Sequence, residues 1–143
     1  MSENNELLLK SYYDYVQFNA SLRTNDHARY WSTGVLKTLG LALDGKTKRA
    51  LAKALPQELA DSVTGVFWLL HFRDPVLTSD EFCRRVARRS GNSDAEFAMR
   101  PTLAVFGGLK MWIDDELNDR LTNTLSPEVR SMWESAQLID VKS

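Results

Sequence analysis

The chain of 143 residues contains one cysteine, Cys83. That excludes an internal disulfide and suits a reducing compartment such as the cytosol. It has no excess of either charge: 18 basic and 19 acidic residues leave a formal net charge of −1, so the chain as a whole attracts neither nucleic acid nor anionic lipid. Long apolar runs are also missing. The most apolar stretch, Gly65-Val66-Phe67-Trp68-Leu69-Leu70-His71-Phe72, is far too short to span a bilayer. The polar, acidic start Met1-Ser2-Glu3-Asn4-Asn5-Glu6 lacks the positive beginning and apolar centre of a signal peptide. No membrane insertion and a soluble, cytoplasmic location are therefore expected. The two histidines, His27 and His71, stand in no metal-ligand spacing with each other or with Cys83. There is no glycine-rich phosphate loop, because Gly107-Gly108 sits alone in a helical pattern, where small residues let helices cross closely. The expectation is no cofactor, no metal and no enzymatic activity.

What the sequence does hold is enough apolar material for a core. The hydrophobic fraction of 43% and charged fraction of 26% are those of a globular protein, and the length fits one domain over residues 1–143. Helical spacing recurs throughout. A first helix is expected over 6–22, with Leu8, Tyr12 and Tyr15 on one face, and a second over 27–43, with Trp31, Val35, Leu36, Leu39 and Leu43 inward. Asp44-Gly45 opens a short basic helix. Pro56 suits the first turn of a fourth helix, expected over 57–72. Asp74-Pro75 breaks the chain. Thr78-Ser79-Asp80-Glu81 and Ser93-Asp94-Ala95-Glu96 read as capping boxes, in which a hydroxyl and a carboxylate satisfy each other's backbone donors. Phe82, Val86 and Ser90 should face inward on the helix over 79–90, which Gly91 ends. Pro101 predicts a kink or split near residues 98–100. The last helix, opened by Ser126-Pro127-Glu128, should end near residue 138.

Displacing the chain by 70 positions aligns Val16 with Val86, Ala28 with Ala98, Val35 with Val105, Leu39 with Leu109, Asp44 with Asp114, Leu51 with Leu121, Leu55 with Leu125, and Glu58 with Glu128. No gap is needed, and the expected helix starts coincide. The fold is thus expected to be all-α: an antiparallel bundle of about eight helices in two pseudo-repeats, roughly 6–74 and 78–139, each shielding the other's apolar face. A single bundle without true repetition is the other reading.

Glu81-Phe82-x-x-Arg85-Val86-Ala87, then Gly91, an Ala-rich helix ending in Leu109 and Ile113, then Leu121, Leu125, Glu128 and Met132-Trp133 resemble the domain of unknown function 2267 family. Residues 12–63 fit as the partner repeat, with Leu55-Pro56-Gln57-Glu58-Leu59 carrying the family-like Leu-Pro step. The second half departs with Leu125-Ser126-Pro127, the first has Tyr15-Val16-Gln17 in place of Arg-Val-Ala, and Pro101 is atypical. The resemblance, over about residues 12–137, implies an all-helical two-unit domain and brings no catalytic residues.

Two groups of residues point to a partner. Arg84, Arg85, Arg88 and Arg89, with Lys46, Lys48, Arg49 and Lys53, would suit an anion if they merged into one patch. Asp80 and Glu81 stand one turn before Arg84 and Arg85, however, so local pairing absorbs part of that charge. Nucleic acid is not expected without interleaved aromatics. The aromatics themselves, four Trp, four Tyr and six Phe, include the adjacent pairs Tyr12-Tyr13, Tyr30-Trp31 and Phe67-Trp68, and Trp112 follows the large Met111 in the same way. Neighbours on a helix point about 100° apart, so one of each pair is expected outside the core, where a rigid ring favours a protein interface. Trp68, Phe72 and Trp112 are the leading interface candidates, with Arg84, Arg85 and Arg88 beside them. Asp114, Asp115, Glu116 and Asp119 lack the spacing of a calcium loop and suit a helix dipole. The function expected is protein–protein interaction or self-association through a surface between the halves. The alternative is small-molecule binding in an apolar pocket there, and a redox role for Cys83 with the histidines ranks third.

Overall fold

The computed structural model describes residues 2–65, 76–91 and 94–136. Among them are eight α-helices: α1 (Ser2–Asn19), α2 (Asn25–Ala42), α3 (Gly45–Ala54), α4 (Gln57–Thr64), α5 (Ser79–Arg89), α6 (Ala95–Leu109), α7 (Asp115–Thr124) and α8 (Pro127–Ser135), with a 3₁₀ turn at Lys110–Trp112. No strand occurs among the described residues. The expected extension of the fourth helix beyond residue 65 lies outside them.

Side-chain caps set most helix starts. The Thr24 hydroxyl accepts from the His27 N–H at 3.1 Å, the Asp44 carboxylate from Thr47 at 2.8 Å, Thr78 from Glu81 at 3.0 Å and Asp114 from Leu117 at 2.8 Å. Each satisfies a donor that the first turn leaves open. The expected reciprocal box at Thr78–Glu81 is only half made. Glu81 turns its carboxylate to Arg84 at 2.8 Å and Arg85 at 3.3 Å, because two guanidiniums one turn ahead outbid a backbone donor. Asp94 caps α6, accepting from Glu96 and Phe97; Ser93 of the second expected box lies outside the described residues.

Of the kink or split expected near residues 98–100, the split does not occur: α6 runs through Pro101 unbroken. Proline in the second turn removes one hydrogen bond, to the Phe97 carbonyl. Its ring is buried, as are Thr102, Ala104, Val105 and Phe106 beyond it, and that burial holds the helix together.

α2 is the central element, packing against α1, α4, α5 and α6. Trp31, Val35, Leu36, Leu39 and Leu43 are buried as expected, each contributing roughly 1.5–3 kcal/mol on burial. Gly34 and Gly40 allow the close approaches. A Cβ on Gly34 would collide with the Ser90 hydroxyl, and one on Gly40 with the Val63 carbonyl oxygen of α4. Gly108 of α6 lies beneath the Tyr12 ring, which would sit 2.8 Å from an added Cβ.

The inward face of α1 differs from the one its spacing suggests. Tyr12, Tyr13, Val16 and Ala20 are buried while Leu8 is exposed and Tyr15 half-buried. Both adjacent tyrosines are inside because α1 lies against α2 and α6 together, and each hydroxyl finds a partner. Tyr12 shares a 2.6 Å hydrogen bond with Ser32, and Tyr13 donates to Glu58 of α4, with Arg29 stacked over its ring. For Tyr30-Trp31 the expected division holds, with Trp31 buried and Tyr30 exposed; Met111 and Trp112 are both half-buried, and Phe67-Trp68 lies outside the described residues.

Starts at 25 and 95, 45 and 115, and 57 and 127 pair α2 with α6, α3 with α7 and α4 with α8 at a common spacing of 70. The two left-handed residues that end α1 and α5, Ser21 at φ 56° and Gly91 at φ 71°, keep the same interval.

Because the Gly40 contact is backbone against backbone, Gly40→Ala should destabilise the protein by about 1–3 kcal/mol. Gly45→Ala, whose Cβ meets only the end of the Arg49 side chain at 3.4 Å, should be neutral or stabilising. Urea unfolding of the two variants measures the contrast.

Candidate functional site

The turns that close α1 and α5 lie on either side of one cleft. After α1, the Leu22 N–H returns to the Gln17 carbonyl at 2.9 Å, Ser21 takes the left-handed conformation, and the Gln17 amide holds the Arg23 carbonyl at 3.0 Å. After α5, Gly91 makes the corresponding turn. Arg100 of α6 donates to the Asn19 carbonyl at 2.8 Å, tying the end of α1 to α6.

The cleft between them has a volume of about 570 Å³. Leu22, Tyr30, Trp31 and Phe97 form its apolar lining, while Arg23, His27 and Ser90 supply polar groups. Trp31 and Phe97 contact each other with ring centroids 5.7 Å apart, and Tyr30 and Phe97 are 58% and 51% exposed. A neighbouring hollow of about 490 Å³ shares Ser21 and Leu22 and adds Phe18, which is 82% exposed. The Ser90 hydroxyl is buried and has no hydrogen-bond partner among the described residues.

The residues singled out from sequence are dispersed. Trp68, Phe72 and His71 lie outside the described residues. Trp112 is half-buried at a different groove, its ring 5.5 Å from that of Tyr12. Arg84 is bound to Asp80 at 2.6 Å and to Glu81 at 2.8 Å, and Arg85 to Glu81 at 3.3 Å, while Arg88 is exposed on the same helix. Burial, with the neighbouring Arg85 and Arg88 charges, depresses the pKa of Arg89, which reaches the Thr38 hydroxyl at 3.4 Å. The basic helix α3 packs on α4 and α7, whereas α5 packs on α6, α2 and α8, so the two basic groups are carried by different parts of the bundle. Tyr30 was visible in sequence as half of an adjacent aromatic pair. Phe97 carried no such signal.

Among the described residues no three His, Cys, Asp or Glu side chains converge as metal ligands. Asp114 caps α7, with Asp115 and Glu116 in its first turn, where they complement the helix dipole. Cys83 is buried, and burial, with the nearby Asp80 charge, pushes its thiol up to about 11. That keeps it out of the reactive thiolate form at neutral pH.

The family model of an uncharacterised conserved protein, DUF2267, matches residues 10–137. The chain belongs to the DUF2267 family. The match covers every residue that lines the cleft. No curated protein matches the chain. No helix among the described residues is long and apolar enough to cross a membrane.

The raised thiol pKa fixes a pH dependence. Protonated Cys83 stabilises the fold fully below its unfolded value of 9.0, and that contribution is lost as pH rises through about 11. Stability should therefore fall between pH 9 and 11, less steeply in Cys83→Ala. The native thiol should react with a disulfide reagent at pH 7.5 at least tenfold more slowly than the unfolded one.

Proposed function

We propose that this DUF2267 domain is a non-enzymatic interaction module built from two copies of one four-helix unit, and that it engages another protein, or a second copy of itself, through the cleft between the halves. The repeat reading is supported by the common interval of 70 between helix starts and between Ser21 and Gly91. One observation carries the interaction reading: Tyr30 and Phe97 remain more than half exposed at the mouth of a cleft that also holds Trp31. Aromatic side chains give up apolar area and little entropy when a partner covers them, and they dominate binding energy where they cluster. Arg23 and His27 supply a polar rim, as interfaces commonly have. The reducing location expected for a lone buried thiol fits a cytoplasmic protein.

Small-molecule binding in the same cleft is the second reading. It is favoured by a volume within the range of roughly 300–1,000 Å³ of ligand sites and by the apolar lining of Leu22, Trp31 and Phe97. Native mass spectrometry of freshly purified protein would reveal a retained ligand.

The double variant Tyr30→Ser/Phe97→Ser separates these ideas from simple surface exposure. Sedimentation and pull-down from source lysate should show self-association or partner capture weakened at least tenfold, with only a small change in melting temperature. Wild-type protein that stays monomeric and captures nothing, or a double variant that associates as the wild type does, would refute the interaction reading.

A further inference from the structure

α3 and α7 begin 70 residues apart and pack against each other. The two helices correspond in position but not in charge. Lys46 of α3 stands where α7 has Glu116, and Arg49 where it has Asp119. All four side chains are exposed. Lys53, also exposed, carries the basic stripe one turn further, because residues three and four apart share a helix face. Arg120, the one cation of α7, has the small, uncharged Ala50 as its equivalent rather than another cation.

Neither stripe is accounted for by its own helix. Like charges one turn apart, as in Arg49–Lys53 and Glu116–Asp119, work against a helix. Lys46 lies in the first turn of α3, which holds no acidic residue, and a cation there opposes the helix dipole. On α5, by contrast, Asp80 and Glu81 take up Arg84 and Arg85.

Nor do the two helices neutralise each other. Among the described residues no ion pair joins α3 to α7, and Lys46, Arg49, Lys53, Glu116 and Asp119 form none elsewhere. Between the stripes lies a groove of about 330 Å³, lined by Lys53 and Ala54 from the end of α3 and by Glu116 and Leu117 from the start of α7, with Trp112 beside them. A second groove of about 290 Å³ joins Lys46 at the start of α3 to Asn123 at the end of α7. The two helices therefore run antiparallel across one face.

We infer that this face is a docking surface for a second copy of the chain, with α3 of each copy laid on α7 of the other. A two-fold axis parallel to the helices brings Lys53 opposite the partner's Glu116 and Arg49 opposite the partner's Asp119. An isologous contact makes each pairing twice. The basic and acidic stripes lie side by side, so the face as a whole is complementary to itself. A polyanion drawn to α3 would meet the acids of α7 alongside, and a polycation drawn to α7 would meet α3. Exposed ion pairs alone hold little; covering Ala54, Trp112 and Leu117 supplies apolar area as well. The inference goes beyond the cleft reading and uses a different surface, in which neither Tyr30 nor Phe97 takes part.

Sedimentation of charge-reversed full-length chains tests it. In about 0.01 M salt, where charges act over roughly 30 Å, the wild-type chain should dimerise with a Kd on the order of 10–100 μM. In about 1 M NaCl, which screens beyond roughly 3 Å, the dimer should weaken at least tenfold. Arg49→Glu/Lys53→Glu and Glu116→Lys/Asp119→Lys should each be monomeric alone. Mixed in equal amounts they should form a heterodimer about as tight as the wild-type dimer, and a chain carrying all four substitutions should dimerise again. A variant that had merely lost its fold would not be rescued by mixing. Repeating the series in a Tyr30→Ser/Phe97→Ser background removes the cleft from the measurement, and Arg49→Glu/Lys53→Glu in turn isolates the cleft. Wild-type chain monomeric in low salt at about 0.5 mM, well above that Kd, either charge variant dimerising as the wild type does, or a mixture that stays monomeric would overturn the inference. Association kept in both charge variants but lost in Tyr30→Ser/Phe97→Ser would overturn it too, while leaving the cleft reading in place.

Discussion

The approach of α2 to its neighbours without intervening side chains is the constraint on which the rest of this bundle depends. Gly34 meets the end of α5 and Gly40 meets the backbone of α4, so α2 is held close on two sides. Its remaining faces can then bury Trp31, Leu36 and Leu39 against α1 and α6. A bundle packed this closely has few ways to rearrange, because interiors at crystal-like density transmit any added volume as strain. The same closeness places the ends of α1 and α5 side by side, and with them the turns that frame the aromatic cleft.

Much of this architecture was legible in the residues. Helix starts announced themselves through Thr24, Asp44, Thr78 and Asp114, since a short polar side chain followed by an apolar period has one economical reading. The inward set of α2 was legible because its spacing is strict. What failed did so where a tertiary neighbour outweighed a local rule. Tyr13 is buried beside Tyr12 because Glu58 and Arg29, some distance away in sequence, satisfy its hydroxyl and cover its ring. Glu81 abandons its own helix start for Arg84 and Arg85. Pro101 stays inside α6 because the packing beyond it outweighs one lost hydrogen bond.

The candidate site was less legible than the fold, for a physical reason. The cleft is assembled from two turns and two helix starts far apart in the chain, and its character comes from which rings the packing leaves uncovered. Sequence periodicity assigns a face, but the neighbours decide how much of it is covered. Tyr30 fell outside the core face of α2 as its phase suggested. Phe97 did so only because α6 presents Ala98 and Pro101 inward instead. Membership in the DUF2267 family accounts for the helical domain and leaves the cleft and the grooves to be read from their own chemistry.

Lys110 occupies the position 70 residues after Gly40, yet it meets α8 quite differently. Its ammonium group donates to the Trp133 carbonyl at 2.7 Å and to the Ala136 carbonyl at 2.6 Å, and it lies 5.2 Å from the Trp133 ring centroid. One half thus closes its last helix by bare backbone proximity, the other with a long cationic peg. The first joint admits no larger residue. The second is adjustable, since a four-carbon stem reaches its acceptors over a range of helix positions. Substitution should therefore be tolerated unevenly at the two joints, more readily at Lys110 than at Gly40.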